Sequence, residues 1–148
     1  MKTKGKWSIA LIIVLIVCAS TYFKPLAFSD LANENSDIRM IFNEYSIDHG
    51  KPDIRVTEYQ EITAEQKGAV LEILEKYTYS RTVGTLFSDG TMSDMGNKVL
   101  YIYIFNSSSD SHALAIASNE IAVSGKNYRM KNADQLMDQL VAIVEQTD

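Results

Sequence analysis

"NKVLYIYIFN", residues 97–106, decides how this chain is built. From Val99 to Phe105 every residue is aliphatic or aromatic, and no polar position marks a wet side. Residues of these types favour extended backbone. A strand apolar on both faces belongs in the middle of a sheet rather than at its edge. Side chains alternate along a strand, so Leu100, Ile102 and Ile104 share one side. Val99, Tyr101, Tyr103 and Phe105 share the other. The next strand, "HALAIASN" (112–119), divides the same way: Leu114 and Ile116 against Ala113, Ala115 and Ala117. The pattern predicts a sheet with one aliphatic face, suited to helices, and one face of aromatics beside alanines.

Working outward, "SSSDS" (107–111) is the polar tip of a hairpin. "EIAVS" and "NYRMKN" flank Gly125-Lys126, a tight turn. On the N-terminal side, "DIRMIFNEYSI" (37–47) fits both the strand and the helix period, and the strand is favoured. "DHGKP" (48–52) is a turn, and "DIRVTEYQ" (53–60) alternates as a strand. Thr63 with Gln66 forms a capping box, in which each side chain satisfies a free backbone N–H. It opens a helix predicted over 64–78, with Val70, Ile73, Leu74 and Tyr77 as its stripe and Glu72–Lys76 as an exposed pair. "RTVGTLFSDG" (81–90) reads as a strand running into an Asp-Gly turn. A last helix starts at Asn132, a cap with Gln135 three residues on, and presents Leu136, Leu140, Ile143 and Val144 through about residue 146. The order is strand, strand, helix, four or five strands, helix. It predicts an α+β domain of two layers, a mostly antiparallel sheet with two amphipathic helices on one face.

Before this domain, residues 7–23, "WSIALIIVLIVCASTYF", carry no charge. As a helix they span roughly 25 Å at about 1.5 Å per residue, the lower edge of a bilayer span. Lys2, Lys4 and Lys6 precede them, which sets the N-terminus in the cytoplasm. Three readings compete. An uncleaved anchor is favoured. A cleaved signal is supported by the 11-residue apolar centre from Ile9 to Ala19 and by the small residues at Ala19 and Ser20. A lipoprotein signal is disfavoured, because bulky Ile16 and Val17 precede Cys18. All three place the body outside the cytoplasm. The expected division is 1–23 as anchor or signal, 24–36 as a tether, and 37–148 as the extracytoplasmic domain.

From Lys24 onward 11 Lys and Arg face 19 Asp and Glu, a balance of −8. Such a body does not attract phosphate backbones, so nucleic acid is not an expected partner. Nor does it lie flat on anionic lipid. Cys18 is the only cysteine, so the body has no internal disulfide and no thiol nucleophile.

The segment from Ile54 to Val144, with "ITAEQKGAVLEILEKYTYSRT" and "IAVSGKNYRMKNADQLMDQL", resembles small uncharacterised extracytoplasmic proteins of Gram-positive bacteria, many with membrane or lipoprotein leaders. The resemblance implies location and fold, and it carries no activity.

Patterns that would carry chemistry are sparse. The chain has no nucleophile elbow, no phosphate-binding glycine loop and no His-Glu-x-x-His. His49 and His112 sit in or beside turns, far apart in sequence, without a third metal ligand near either. Asp89 and Asp94 in "SDGTMSD" (88–94) lack the terminal Glu of a calcium loop and read as a turn. Glu58 and Glu61 read as a solvated strand end. No cofactor, metal or catalytic residue is assigned. The aromatic row of Tyr101, Tyr103 and Phe105 is the candidate partner-binding face, since tyrosine joins a large apolar body to a polar tip. The competing reading is that the N-terminal segment, with Met40 and Phe42, folds across this row as core. Arg81 and Arg129 read as solvated strand residues near it. The expected function is a membrane-tethered extracytoplasmic binding module, not an enzyme. It would hold a bilayer through residues 7–23 and take an envelope protein or peptide as partner. The alternatives are a cleaved, secreted protein or an envelope hydrolase without a recognisable motif.

Overall fold

The computed structural model describes residues 3–92 and 96–146. It is α+β, with an antiparallel sheet of eight strands and three helices. The strands are β1 (Leu26–Ala27), β2 (Asp37–Asp48), β3 (Lys51–Tyr59), β4 (Thr78–Ser80), β5 (Lys98–Phe105), β6 (Ser111–Ala117), β7 (Glu120–Val123) and β8 (Lys126–Met130). The helices are α1 (Thr3–Tyr22), α2 (Ala64–Glu75) and α3 (Ala133–Glu145). Across the sheet the order is β1-β4-β8-β7-β6-β5-β2-β3, so β5 lies in the interior between β6 and β2.

Tight turns set the register. His49 and Gly50 both adopt positive φ between β2 and β3, as do Ser124 and Gly125 between β7 and β8. Two positive-φ residues make the turn whose twist matches that of the strands it joins. The second turn therefore centres on Ser124-Gly125 rather than Gly125-Lys126, and Val123 pairs with Lys126.

The aliphatic face is the core. Ile38, Met40 and Phe42 of β2, Leu100, Ile102 and Ile104 of β5, and Leu114 and Ile116 of β6 form one buried cluster with Val70 and Leu74 of α2 and Leu136, Met137, Leu140 and Val144 of α3. Both helices thus lie on the aliphatic side. Tyr77 and Gln139 tie them together, the Tyr77 hydroxyl donating to Oε1 at 3.0 Å. The capping box of α2 is present in both halves, and the Lys76 ammonium donates to Glu72 at 2.9 Å.

Four further expectations are corrected. Residues 24–36 do not stand off as a tether. β1 pairs with β4, Phe28 and Leu31 are buried, and Phe28 packs on Tyr79 with ring centres 5.1 Å apart. Buried Ser36 closes this segment by donating to Asn106 Oδ1, while Asn106 Nδ2 donates to the Leu31 carbonyl at 3.1 Å. Second, α2 ends at Glu75, and the chain enters β4 directly. Third, residues 81–90 are not a strand. Thr82 and Thr85 each accept the other's backbone N–H on the side-chain oxygen, which closes a single 3-10 turn at Gly84–Leu86. Fourth, Asn132 precedes α3 but does not cap it. It sits in the left-handed region at φ 58, where its side chain makes no cap bond. Asn tolerates that conformation better than most residues, and the bend from β8 into α3 uses it.

Among the described residues no helix is long and apolar enough to cross a membrane. Within α1, the side chains from Ile9 to Val17 lie open, the larger of them 55–62% exposed.

Candidate functional site

Register brings the aromatic row onto the side away from α2 and α3. Opposite residues of an antiparallel pair share a face. Tyr101 lies between Ile41 of β2 and Ala115 of β6, and Tyr103 lies between Arg39 and Ala113. Phe105 lies between Asp37 and Ser111. The same face continues onto β3 through Val56, which opposes Asn43, and Ile54, which opposes Tyr45. Ile54 and Val56 are 55% and 54% exposed on this edge strand, and Ile47 at the hairpin end is more exposed still.

The row is neither fully covered nor fully open. Val99 is buried, Tyr101 and Tyr103 are half-buried, and Phe105 is exposed. Met40 and Phe42 do not cover it, because they point from β2 into the core beneath the helices. The partial cover comes instead from the loop after the 3-10 turn. Ser88 anchors that loop: its carbonyl accepts the Lys126 ammonium at 2.8 Å, and its hydroxyl accepts the Asn127 backbone N–H at 2.9 Å. Asn127 Nδ2 also donates to the Thr91 carbonyl. Gly90 then rests directly on the β7–β8 turn, where a Cβ on Gly90 would stand 2.9 Å from the Gly125 Cα. Only glycine, also at φ 88 here, permits that approach.

Between this loop and the sheet lies a cleft of about 420 Å³. Asp89, Gly90 and Thr91 wall it, and Tyr101, Tyr103, Ala113, Ala115 and Ala122 floor it. The alanines lower the floor beside the tyrosines, which leaves a step that a small apolar side chain can fill. Burial raises the Tyr101 phenol above its ordinary pKa, and the nearby Tyr45 and Tyr103 phenols add to the shift. The Arg39 guanidinium lies 5.4 Å from the Phe105 ring centre, a cation–π contact, and reaches Asp37 at 3.4 Å. The Thr91 backbone N–H donates to the Asp89 carboxylate at 2.9 Å and holds its pKa below the ordinary value. The surface therefore offers apolar area, phenol hydroxyls, the Arg39 guanidinium and the carboxylates of Asp37 and Asp89.

Arg39, Ile41 and Tyr45 were not singled out from sequence. Their places at odd positions of "DIRMIFNEY", which put them on one side of a strand, were the available signal, and they become informative once β2 is known to pair with β5. Arg81 does not border the row. Its guanidinium lies over the Tyr22 ring at 5.4 Å and donates to the Tyr22 carbonyl. Arg129 is exposed on β8, opposite Glu120 and Ser80.

The other sequence candidates are dispersed. Ile38, Ile104 and His112 are in register. His49 lies eleven residues further along β2 and its turn, roughly 36 Å at about 3.3 Å per residue. Among the described residues no group of three or more His, Cys, Asp or Glu side chains is arranged to hold a metal ion. Asp94 lies outside the described residues. Glu58 and Glu61 line a separate, larger cleft of about 720 Å³ with Glu65, Gln66 and Ile143, between the end of β3 and the two helices. There Gln60 donates to Glu58 at 2.7 Å. The cleft is open and acidic.

No protein-family model, no curated protein and no solved structure matches this chain.

Proposed function

We propose that this chain is a membrane-tethered, non-enzymatic binding module. Residues 7–23 hold it in a bilayer, its body stands outside the cytoplasm, and the open face of its sheet takes a protein or peptide of the cell envelope. The observation that carries the binding role is the half-covered aromatic row. Tyr101 and Tyr103 stand beside alanines in a cleft walled by a loop, continuous with exposed Ile54 and Val56 on the edge strand. Aromatic anchors beside a shallow step are what interface hot spots are made of, and an edge strand with free backbone groups can pair with an extended peptide.

The tether is supported by the lysines before the apolar run and by the open Ile9–Val17 surface. The hydroxyls of Ser20 and Thr21 both donate to the Val17 carbonyl at 2.9 Å. Polar groups satisfied within their own helix cost little to place against lipid.

Protease added to intact protoplasts tests the topology: the body should be digested, and a protected body overturns the tether. Selection from a displayed peptide library against the full chain tests the face. Selected peptides should bind wild type at least about tenfold more tightly than Tyr103→Ala, as hot-spot loss requires. Equal binding by both proteins removes this face from the proposal.

A further inference from the structure

The largest exposed apolar residues of the body outside the open face fall together on one turn. Val83, Leu86 and Phe87 are 63%, 57% and 83% exposed; Leu86 ends the 3-10 turn Gly84–Leu86, and Val83 and Phe87 flank it. Three residues per 3-10 turn put Val83 and Leu86 on one side, with Phe87 next to them. Nothing in the core requires this: the turn is held by Thr82 and buried Thr85, and its apolar side chains project outward. Apolar side chains this exposed on adjacent positions mark a contact surface.

Its position says what it contacts. Arg81, two residues before Val83, grips the last turn of α1 through the Tyr22 carbonyl and ring. Phe23, itself 44% exposed, and Lys24 follow there. Consecutive Cα atoms are about 3.8 Å apart, so Val83 lies within about 8 Å of Arg81 along the chain. The apolar turn thus sits beside the point where the apolar helix meets the body. Its charge surroundings also differ from the acidic whole. Arg81 and Lys24 lie on one side, and Lys126 grips Ser88 on the other, with Asp89 the acid next to it. Basic side chains around an apolar tip match an anionic lipid surface.

We infer that Val83, Leu86 and Phe87 form a second membrane contact, a wedge that enters the interfacial layer of the leaflet from which the body emerges. This rests on the tether proposed above and adds to it. Anchor and wedge together fix the body's orientation, so the sheet is held at a set angle instead of swinging on a free stalk. The body as a whole, being acidic, stays off the surface, and only this corner touches it. β3, with exposed Ile54 and Val56, is then held at the far edge of the sheet from β4.

The experiment uses the full chain in vesicles of phosphatidylcholine with a minority of phosphatidylglycerol. Trp7→Phe removes the native tryptophan, and Phe87→Trp places a reporter on the wedge. Ile47→Trp, at the opposite end of the strand order, is the reference. Flotation with the vesicles reads the tether. Quenching by lipids spin-labelled near the headgroup end of the chain reads the wedge. The protein should float, and Trp at position 87 should be quenched at least about threefold more than Trp at position 47, as an interfacial side chain is. Flotation with equal quenching at the two positions overturns the wedge and leaves the tether standing. Flotation with blue-shifted but unquenched emission at position 87 means that a second copy of the chain covers the turn, and also overturns it. Failure to float overturns both.

Discussion

Ile102 and Tyr103 are adjacent in sequence and face opposite environments. Ile102 has no exposed surface and belongs to the cluster beneath α2 and α3, while Tyr103 is half-buried on the other side beside Arg39 and Ala113. Truncating a fully buried aliphatic leaves a cavity that neighbours fill only in part, so Ile102→Ala should cost about 2–5 kcal/mol. Tyr103→Ala removes cross-strand contacts from a surface that water already reaches, and should cost about 1 kcal/mol or less. Denaturant unfolding of the two variants in mild detergent checks this. A large loss for Tyr103→Ala would make the row ordinary core and deprive the binding proposal of its surface. The buried Ser36 offers a second contrast. Its hydroxyl joins the 24–36 segment to the β5–β6 hairpin through Asn106. Ser36→Ala leaves Asn106 Oδ1 and the Asn33 N–H without that partner, and should cost about 1–3 kcal/mol in the same measurement.

At the scale of elements, the parts legible in the sequence are those whose physics is local. The alternation of 97–106 and 112–119, the Thr63–Gln66 box and the α3 stripe each depend on a few neighbouring residues, and each appears where the pattern puts it. What was not legible depends on distant partners. "KPLAFSDLANENS" looks like linker until Phe28 meets Tyr79 and Ser36 meets Asn106. "RTVGTLFSDG" has the composition of a strand, but two threonines three apart close a turn first. The face that carries Tyr101, Tyr103 and Phe105 followed from alternation alone. Its wall did not, because that depends on Gly90 and Gly125 meeting across a loop. This contact gives an element-level prediction. Gly90→Ala drives a methyl group into the β7–β8 turn at a residue with φ 88. It should destabilise by about 1–3 kcal/mol and loosen the Ser88–Thr91 loop. Hydrogen exchange of the Asn127 and Thr91 amides, both donors to this loop's own side chains, should accelerate while the core strands keep their protection.

At the scale of the whole molecule, the two edges of the sheet do different work. The β1–β4 edge is closed by the N-terminal segment, where Phe28 packs tilted on Tyr79 and Tyr79 packs edge-to-face on Tyr128, with ring centres 5.0–5.1 Å apart, joining the chain emerging from α1 to the core. The β3 edge carries free backbone groups and exposed Ile54 and Val56. Coupling of the first edge to global stability can be read from pH. Burial, with smaller contributions from Tyr128 and Asp30, pushes the Tyr79 phenol up to about 12 from an ordinary value of 10.0. Burial and donation to Glu145 push Tyr59 to about 12 as well. A raised phenol pKa means that, between pH about 10 and about 12, the unfolded chain has released protons that the folded chain still holds. Stability is then fully present below pH about 10 and falls as pH rises toward about 12. For Tyr79, which is buried, the slope approaches about 1.4 kcal/mol per pH unit. Lysines lose charge in the same range, so the informative quantity is a difference between proteins. Tyr79→Phe keeps the ring packing on Phe28 and Tyr128 and removes the ionising group. At neutral pH it should unfold within about 1 kcal/mol of wild type, because the Tyr79 hydroxyl makes no hydrogen bond among the described residues and the apolar packing survives. Above pH about 10 it should lose stability less steeply than wild type, and the two curves should diverge progressively toward pH about 12. Parallel curves would mean that the N-terminal edge opens before the rest of the sheet, exposing Tyr79 to water while the core stays folded. In that case the body would join α1 through a yielding edge, and the orientation that the proposed membrane contacts would set would not reach the aromatic face.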